Sequence, residues 1–447
     1  MKNHVMYSQK IKHYNKIFHA TMDAYRAAVD FFISVCLKEW GSMSAIPSSK
    51  ERMNLLEGMT HPTSARPFVP YCFDTHDRRF YKFPSYLRRA ACMEAIGKAS
   101  SYMGCLADWE ASHEGRRPGL PKAGHVYPCL YRGNMYLEGD GYTAQVKVYI
   151  RNTWDWISIS LRRSDVDYAV RHCGSMRQSS PTLQKRGKEW FLDFMYESET
   201  PLRTKPVMEQ RVLAVDLGIN NACTLACLLP DGTVAGRRFL RLPAEEDCLK
   251  KAAGRIRKAQ QRGNRKTPRL WAAAKGINDD IAVKTAAFIM EAAAAFHADV
   301  IVFEHLDRAG RKRGSKKQRL HMWKTAFVQA MVEGKAHRAG LHISRVCAWN
   351  TSRLAFDGSG RVKRGRESKR TNGSYSLCEF TSGKLYNCDL NASYNIGARY
   401  FIREITKSLP ERARLALEAK VPEAARRSTC TLSTLISLHA ALAAEAA

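Results

Sequence analysis

The stretch Arg211–Asn221, RVLAVDLGINN, combines an apolar run with an acid and a glycine. Val212–Val215 form a short run of apolar and β-branched residues, which is typical of a buried strand. Asp216 stands where that strand should end, and a buried carboxylate needs a cation, a hydrogen-bond donor or a metal nearby. Gly218 allows the backbone to bend sharply just beyond it. Taken alone, the pattern fits either a turn or capping aspartate or a functional acid.

Two later stretches favour the functional interpretation. Ala298–Leu306, ADVIVFEHL, is a second apolar run that ends in an acid, Glu304. Cys388–Ile396, CDLNASYNI, carries Asp389 just before a helical pattern. Carboxylates from separate elements that meet at one end of a sheet form an oxygen-rich site for hard cations such as Mg²⁺. Two such ions about 4 Å apart can activate a water and stabilise the leaving oxygen of a phosphodiester.

These three stretches resemble the motifs of the RuvC-type nuclease domain found in TnpB-like transposon proteins and in compact type V CRISPR effectors. The resemblance lies in VDLGINN, IVFEHL and CDLNASYNIGARY, in that order, between Arg211 and about Ile405. It implies an RNase H-like fold, a bound guide RNA and cleavage of DNA. It also assigns Asp216, Glu304 and Asp389 as catalytic acids that hold two Mg²⁺ ions, for which Mn²⁺ could substitute.

Composition points to a polyanionic partner. The chain has 447 residues, a length expected for roughly three domains. Its 72 Lys+Arg against 42 Asp+Glu leave a net charge of +30, more than solubility requires. No apolar run is long enough to span a bilayer and no signal peptide is evident, which disfavours a membrane partner. Thirteen irregularly spaced cysteines favour reduced thiols. We therefore expect a cytoplasmic protein that is nucleoid-associated when on DNA.

The residues before Arg211 predict a helical part followed by a β-rich part. Helical spacing continues to about Trp40 and again from Ser85 to Glu110, whereas the proline-broken stretch Ser44–Phe83 is predicted to be loop. Alternating patterns at Tyr142–Ile150 and Trp154–Leu161, with a further candidate near Trp190, indicate strands of a small β-barrel. The resemblance implies that an amino-terminal strand joins this barrel and that the helices form an inserted guide-binding lobe.

Within the nuclease region, Pro230-Asp231-Gly232 predicts a hairpin between two strands, and basic stretches follow. Lys250–Lys275 carries ten Lys or Arg and no acid, and Arg308–Arg319 carries seven. A solvated helix face would normally mix signs, so phosphate contact is favoured. The predicted nucleic-acid-binding residues are Arg255, Arg257, Lys258, Arg262, Arg265, Lys266, Arg311, Lys312, Arg313, Lys316 and Lys317.

The segment before Asp389 departs from the family pattern. Relatives commonly carry a zinc ribbon there, but the first Cys-x-x-Cys pair would fall at Ala355 and Gly358, and neither is cysteine. Structural zinc needs four Cys or His ligands, and Cys347, Cys378 and Cys388 have no fourth partner at suitable spacing. We expect no zinc site.

The complete prediction is an α/β multidomain chain, with an RNase H-like RuvC nuclease domain preceded by a small β-barrel with an inserted helical recognition lobe. The expected ranges are 1–12 (first strand of the barrel, or wedge, domain), 13–117 (helical lobe), 118–206 (barrel), 207–345 (first part of the nuclease), 346–385 (degenerate zinc-ribbon-like insert that loads the target strand), 386–410 (last part of the nuclease) and 411–447 (alanine-rich tail, peripheral or disordered).

The predicted function is an RNA-guided DNA endonuclease whose partners are a guide RNA and a target DNA with a short flanking motif. Two alternatives remain open at this point. One is a guide-bound DNA-binding protein with weak or no cleavage, and the other is an unguided RNase H-fold transposase or resolvase. The oligomeric state is also open.

Overall fold

The computed structural model describes residues 1–13, 16–218, 221–264, 266–305 and 325–446. The chain divides into two compact units, one of His4–Ser198 and one of Met1–Asn3 with Glu199–Ala447. Helices and sheets occur in both, so the predicted α/β multidomain fold is confirmed. Among the described helices, none combines the length and the apolarity that crossing a membrane requires.

The helices of the amino-terminal unit pack around α1, whose apolar side is fully buried and lies against α5. A third helix, α3, occupies part of the stretch Ser44–Phe83, so the loop predicted there is wrong in that part. Ser48 caps α3, with its hydroxyl oxygen accepting the Glu51 amide at 3.4 Å. The helices are α1 (Ile17–Lys38), α2 (Trp40–Ser44), α3 (Ser49–Thr60), α4 (Phe73–His76), α5 (Ser85–Ser112) and α6 (Arg163–Cys173).

The strands of this unit form two sheets, one ordered β1-β7-β5 with β6 also paired to β7, and one ordered β2-β3-β4. The amino-terminal strand therefore does join a sheet. An isolated bridge between Ile11 and Leu161 links the two sheets, but the described strands do not close into the small β-barrel that the sequence predicted. The strands are β1 (Lys2–Lys10), β2 (Tyr136–Glu138), β3 (Thr143–Ile150), β4 (Thr153–Ser160), β5 (Arg177–Gln178), β6 (Thr182–Arg186) and β7 (Glu189–Glu199).

A five-stranded sheet ordered β10-β9-β8-β11-β12 forms the centre of the carboxy-terminal unit. The antiparallel pairs are β10 with β9 and β9 with β8, whereas β8 pairs parallel with β11 and β11 parallel with β12. The hairpin predicted at Pro230-Asp231-Gly232 joins β9 to β10. The strands are β8 (Val212–Asp216), β9 (Cys223–Leu228), β10 (Val234–Leu240), β11 (Val300–His305) and β12 (His342–Cys347).

Helices cover both faces of this sheet. Val212 and Ala214 face α10 (Cys388–Ser408), whereas Leu213 and Val215 face α8 (Pro268–Ala295) and α9 (Thr325–Arg338). Alternate residues of one strand point to opposite faces, so a run that is apolar at every position is buried on both sides. At Gly397, α10 approaches so closely that a Cβ there would stand 2.9 Å from Leu228 Cδ1.

Two helices of the carboxy-terminal segment pack into the same core. They are α11 (Glu411–Lys420) and α12 (Leu432–Ala446). Leu417, Leu435 and Leu438 are fully buried in the cluster that includes α10. The expectation of a peripheral or disordered tail is therefore wrong, because its leucines complete the core on the α10 side of the sheet.

The segment before α10 forms a small three-stranded sheet of β13 (Lys363–Arg364), β14 (Leu377–Glu379) and β15 (Leu385–Asn387). Cys378 and Cys388 are buried together beneath it, beside Val362 and Phe380. All thirteen cysteines lie in the described residues, and none forms a disulfide.

Candidate active site

The fold brings the first two predicted acids to neighbouring strand ends. Asp216 is the last residue of β8, and Glu304 lies near the end of β11. The two strands run parallel, and Val215 pairs with Phe303, so the next residue on each strand is one of the two acids. Because parallel strands end at the same edge of a sheet, the two carboxylates belong to one edge.

The third acid reaches this edge from the helix that covers the sheet. Asp389 lies in the first turn of α10, and Asn387 caps the helix by accepting the Leu390 amide at 2.9 Å. A carboxylate in the first turn is favoured by the partial positive charge of a helix amino terminus. α10 packs directly on β8, which brings Asp389 toward Asp216.

The pKa of Asp216 responds to its burial and to the other two acids. Burial raises the pKa of the Asp216 carboxyl well above its ordinary value, and the charges of Glu304 and Asp389 raise it further. Burial also raises the pKa of Glu304, whereas a hydrogen bond from Thr351 and the charge of Arg399 oppose that rise. Like charges gathered in a buried place destabilise one another unless a cation or a proton compensates them.

Asn221 is a member of the site that sequence reasoning did not single out. Its amide Nδ2 donates to Asp389 Oδ2 at 2.6 Å, and its Oδ1 accepts from Arg241 Nε at 3.1 Å. Asn221 is buried, so these bonds fix the direction of the Asp389 carboxylate. The sequence feature that could have identified Asn221 is its position in the RVLAVDLGINN stretch, five residues beyond Asp216.

A second missed residue holds Glu304. The hydroxyl of Thr351, in the segment that follows β12, donates to Glu304 Oε1. Thr351 is buried, and its sequence context of asparagine, threonine and serine resembles an ordinary turn.

The donors at this edge suit a hard divalent cation in their chemistry, since all three are carboxylates. Across the ranges that the structure describes, no three His, Cys, Asp or Glu side chains stand close enough to hold one ion.

The predicted phosphate-contacting residues lie partly at the end of one helix and in the turn that follows it. The stretch Lys250–Lys275 spans the end of α7 (Pro243–Gln261), a turn and the start of α8. Within α7 Ile256 is buried, whereas five basic residues at the end of the helix and just after it are exposed. The exposed residues are Arg255, Arg257, Lys258, Arg262 and Lys266. Outside the described residues lie Arg265, Arg311, Lys312, Arg313, Lys316 and Lys317.

Comparison with known proteins identifies relatives of the chain. The Aq_aa04 family model matches residues 5–150. The TnpB-like protein aq_aa05 of Aquifex aeolicus (strain VF5) is 28% identical over 244 residues, which cover 48% of this chain and 76% of that protein. This chain is similar to TnpB-like proteins. The resemblance to TnpB-like proteins predicted from the sequence is thereby confirmed.

Further matches include proteins and solved structures. The uncharacterized protein aq_aa04 of the same organism is 29% identical over 126 residues, or 26% of this chain and 68% of that protein. A Cas12f1 complex with single-guide RNA and target DNA is 13% identical, with a TM-score of 0.34 over 88% of this chain and 98% of that one. A binary complex of AacC2c1 with single-guide RNA is 11% identical, with a TM-score of 0.42 over 84% of this chain and 65% of that one.

Proposed function

We propose that this TnpB-like relative is an RNA-guided DNA endonuclease that hydrolyses phosphodiester bonds in a single RuvC site on an RNase H-like domain. The observation that carries the proposal is the placement of Asp216 and Glu304 at neighbouring strand ends of a five-stranded sheet, with Asp389 in the first turn of the helix that packs on β8. The mixed order of that sheet, with three antiparallel strands and two parallel ones, supports the RNase H-like assignment.

Asp216, Glu304 and Asp389 would hold Mg²⁺, with Mn²⁺ as a possible substitute. Two bound ions would supply the activation of a water and the stabilisation of the leaving oxygen. The chain itself contributes the placement of the carboxylates. Asn221 orients Asp389 through a 2.6 Å hydrogen bond, while Asp216 is fixed by its position at the end of a strand buried on both faces.

The proposed partners are a guide RNA and a target DNA with a short flanking motif. Support comes from the net charge of +30, the exposed basic residues around the end of α7 and the TnpB-like relative. Base pairing with the guide would read the target, while the protein contacts backbone phosphates. We assign guide binding to the unit of residues 4–198 and cleavage to the unit that begins at Glu199.

The test is to purify the chain after co-expression with its flanking DNA, sequence the RNA that accompanies it, and then supply a synthetic guide. We expect one discrete RNA species, and Mg²⁺-dependent cleavage only of duplex DNA that matches the guide. Cleavage that ignores the guide sequence would instead indicate an unguided transposase or resolvase. Guide-dependent binding with no cleavage at any Mg²⁺ concentration would indicate a DNA-binding protein.

A further inference from the structure

One side of α10 carries a row of buried polar residues. Asn391, Asn395 and Arg399 are spaced four residues apart, so they lie on the same face of the helix. Both asparagines are fully buried, and only 4% of the Arg399 surface is exposed. A polar side chain withdrawn from water must be hydrogen-bonded to be tolerated.

The two asparagines bind the backbone of the segment that follows β12. Asn391 accepts the Phe356 amide and donates to the Leu354 carbonyl, both at 2.8 Å. Asn395 donates to the carbonyls of Thr351 and Leu354, both at 2.9 Å. These bonds hold both ends of the stretch from Thr351 to Phe356 against α10.

Arg399 binds the backbone of the residues just before Thr351 and holds them against α10. Its Nη1 donates to the carbonyls of Cys347 at 2.7 Å and Trp349 at 2.8 Å. A guanidinium offers several donors in a fixed plane, which suits it to binding carbonyls from separate turns at once. Together with Asn395, it fixes the backbone on both sides of the Thr351 side chain.

The Thr351 hydroxyl meets the carboxylate of Glu304. Its oxygen lies within hydrogen-bonding reach of both Glu304 Oε1 and the Ala348 carbonyl, the latter at 3.1 Å. A hydroxyl has one proton, so the two acceptors compete, and an ionised carboxylate is the stronger of the two. The Thr351 hydroxyl therefore donates to Glu304.

We propose that Thr351 is a positioning residue for Glu304 and that the buried row Asn391, Asn395 and Arg399 exists to hold it there. One fixed hydrogen bond to Oε1 sets the plane of the Glu304 carboxyl relative to Asp216 and Asp389. Partners that orient a metal-binding side chain typically change metal affinity or activity by about 10–100-fold when removed. The inference rests on the proposed metal-dependent site.

The experiment compares Thr351→Val, Thr351→Ser and Thr285→Val. Valine keeps the shape of threonine without the hydroxyl, and serine keeps the hydroxyl. Thr285 is the matched control, because it is as buried as Thr351 and its hydroxyl donates to the Ile281 carbonyl of α8 at 2.7 Å. Mn²⁺ binding to the full-length chain without guide is measured by electron paramagnetic resonance, alongside the melting temperature.

We expect Thr351→Val to weaken Mn²⁺ binding by about 10-fold or more, Thr351→Ser to restore it, and Thr285→Val to leave it unchanged even if its melting temperature falls. The inference is wrong if Thr351→Val binds Mn²⁺ like the wild type while Glu304→Ala does not. If Glu304→Ala also binds like the wild type, or the wild type binds no Mn²⁺, the metal site of the proposed function fails as well.

Discussion

Replacing Arg399 by methionine should destabilise the carboxy-terminal unit. Besides its bonds to Cys347 and Trp349, Arg399 donates to the carbonyls of Cys430 at 3.1 Å and Ser428 at 3.0 Å. Each buried carbonyl left without a donor costs at least about 1 kcal/mol, so the four together cost about 4 kcal/mol. Part of this is offset, because burial also disfavours the charged guanidinium and lowers the pKa of Arg399.

A net loss of about 2–4 kcal/mol corresponds to a fall of about 4–16 °C in melting temperature for a unit of this size. Thermal unfolding followed by near-ultraviolet circular dichroism, without guide or divalent cations, measures it. Arg399→Lys should lose most of the same stability, since an ammonium lacks the planar fork that reaches four carbonyls. Arg412→Met, at an exposed position of α11, is the control and should stay within about 0.5 kcal/mol of the wild type. If Arg399→Met has the same melting temperature as Arg412→Met, the four hydrogen bonds of Arg399 do not stabilise the carboxy-terminal unit.

Three further predictions concern charge and metal. Asp216→Asn should stabilise the chain without divalent cations, because the folded protein raises the pKa of Asp216. The wild type therefore loses stability as the pH rises above about 3.9, the ordinary pKa of the unfolded carboxyl. The free energy of unfolding that Asp216→Asn gains over the wild type should be near zero in acid and should grow toward neutral pH, as urea titrations can show. Neutralising the exposed Arg255, Lys258 and Arg262 together should flatten the salt dependence of nucleic-acid affinity by about one unit of slope per lost phosphate contact, and an unchanged slope would make this surface a solvated helix end. Elemental analysis should find no stoichiometric zinc, whereas about one zinc per chain would show that the cysteine spacing was misread.

The elements that carry the acids could be predicted because their signal is local. β8 and β11 are apolar at consecutive positions up to an acid, which is the last residue of β8 and the last but one of β11, and each strand is buried on both faces of the sheet. The start of α10 was also visible, since Asp389 precedes a helical pattern. The α/β organisation could be predicted from these stretches. The prediction that the three acids belong to one site came from the family resemblance, because periodicity does not indicate it.

Helix α3 was missed within the stretch Ser44–Phe83, which was predicted to be loop. The helix α3 has only two buried residues, Leu56 and Thr60, so helical periodicity was weak, although Ser48 three residues before Glu51 was a usable capping signal. The boundary between α7 and α8 was not located, because basic residues continue across the turn that separates them. Proline at the first position of α8 marks the boundary.

The network around Glu304 could not have been read from the sequence. Asn395 and Arg399 bind backbone carbonyls of a segment about 45–50 residues away, and a carbonyl is present at every residue. The sequence therefore does not indicate which carbonyls Asn395 and Arg399 bind. The same is true of Thr351, whose role depends on the strand end that it faces.

The measurement that tests the central claim is Mg²⁺-dependent cleavage of matching duplex DNA by the guide-loaded Asp216→Ala protein, run beside a DNA-binding assay. Alanine removes a carboxylate at a strand end without opening a large cavity, so the chain should fold and bind as before. Cleavage should fall by several orders of magnitude, each tenfold loss being about 1.4 kcal/mol of barrier, while Asp231→Ala in the exposed β9–β10 turn should cut normally. Cleavage by Asp216→Ala at near the wild-type rate would contradict the account.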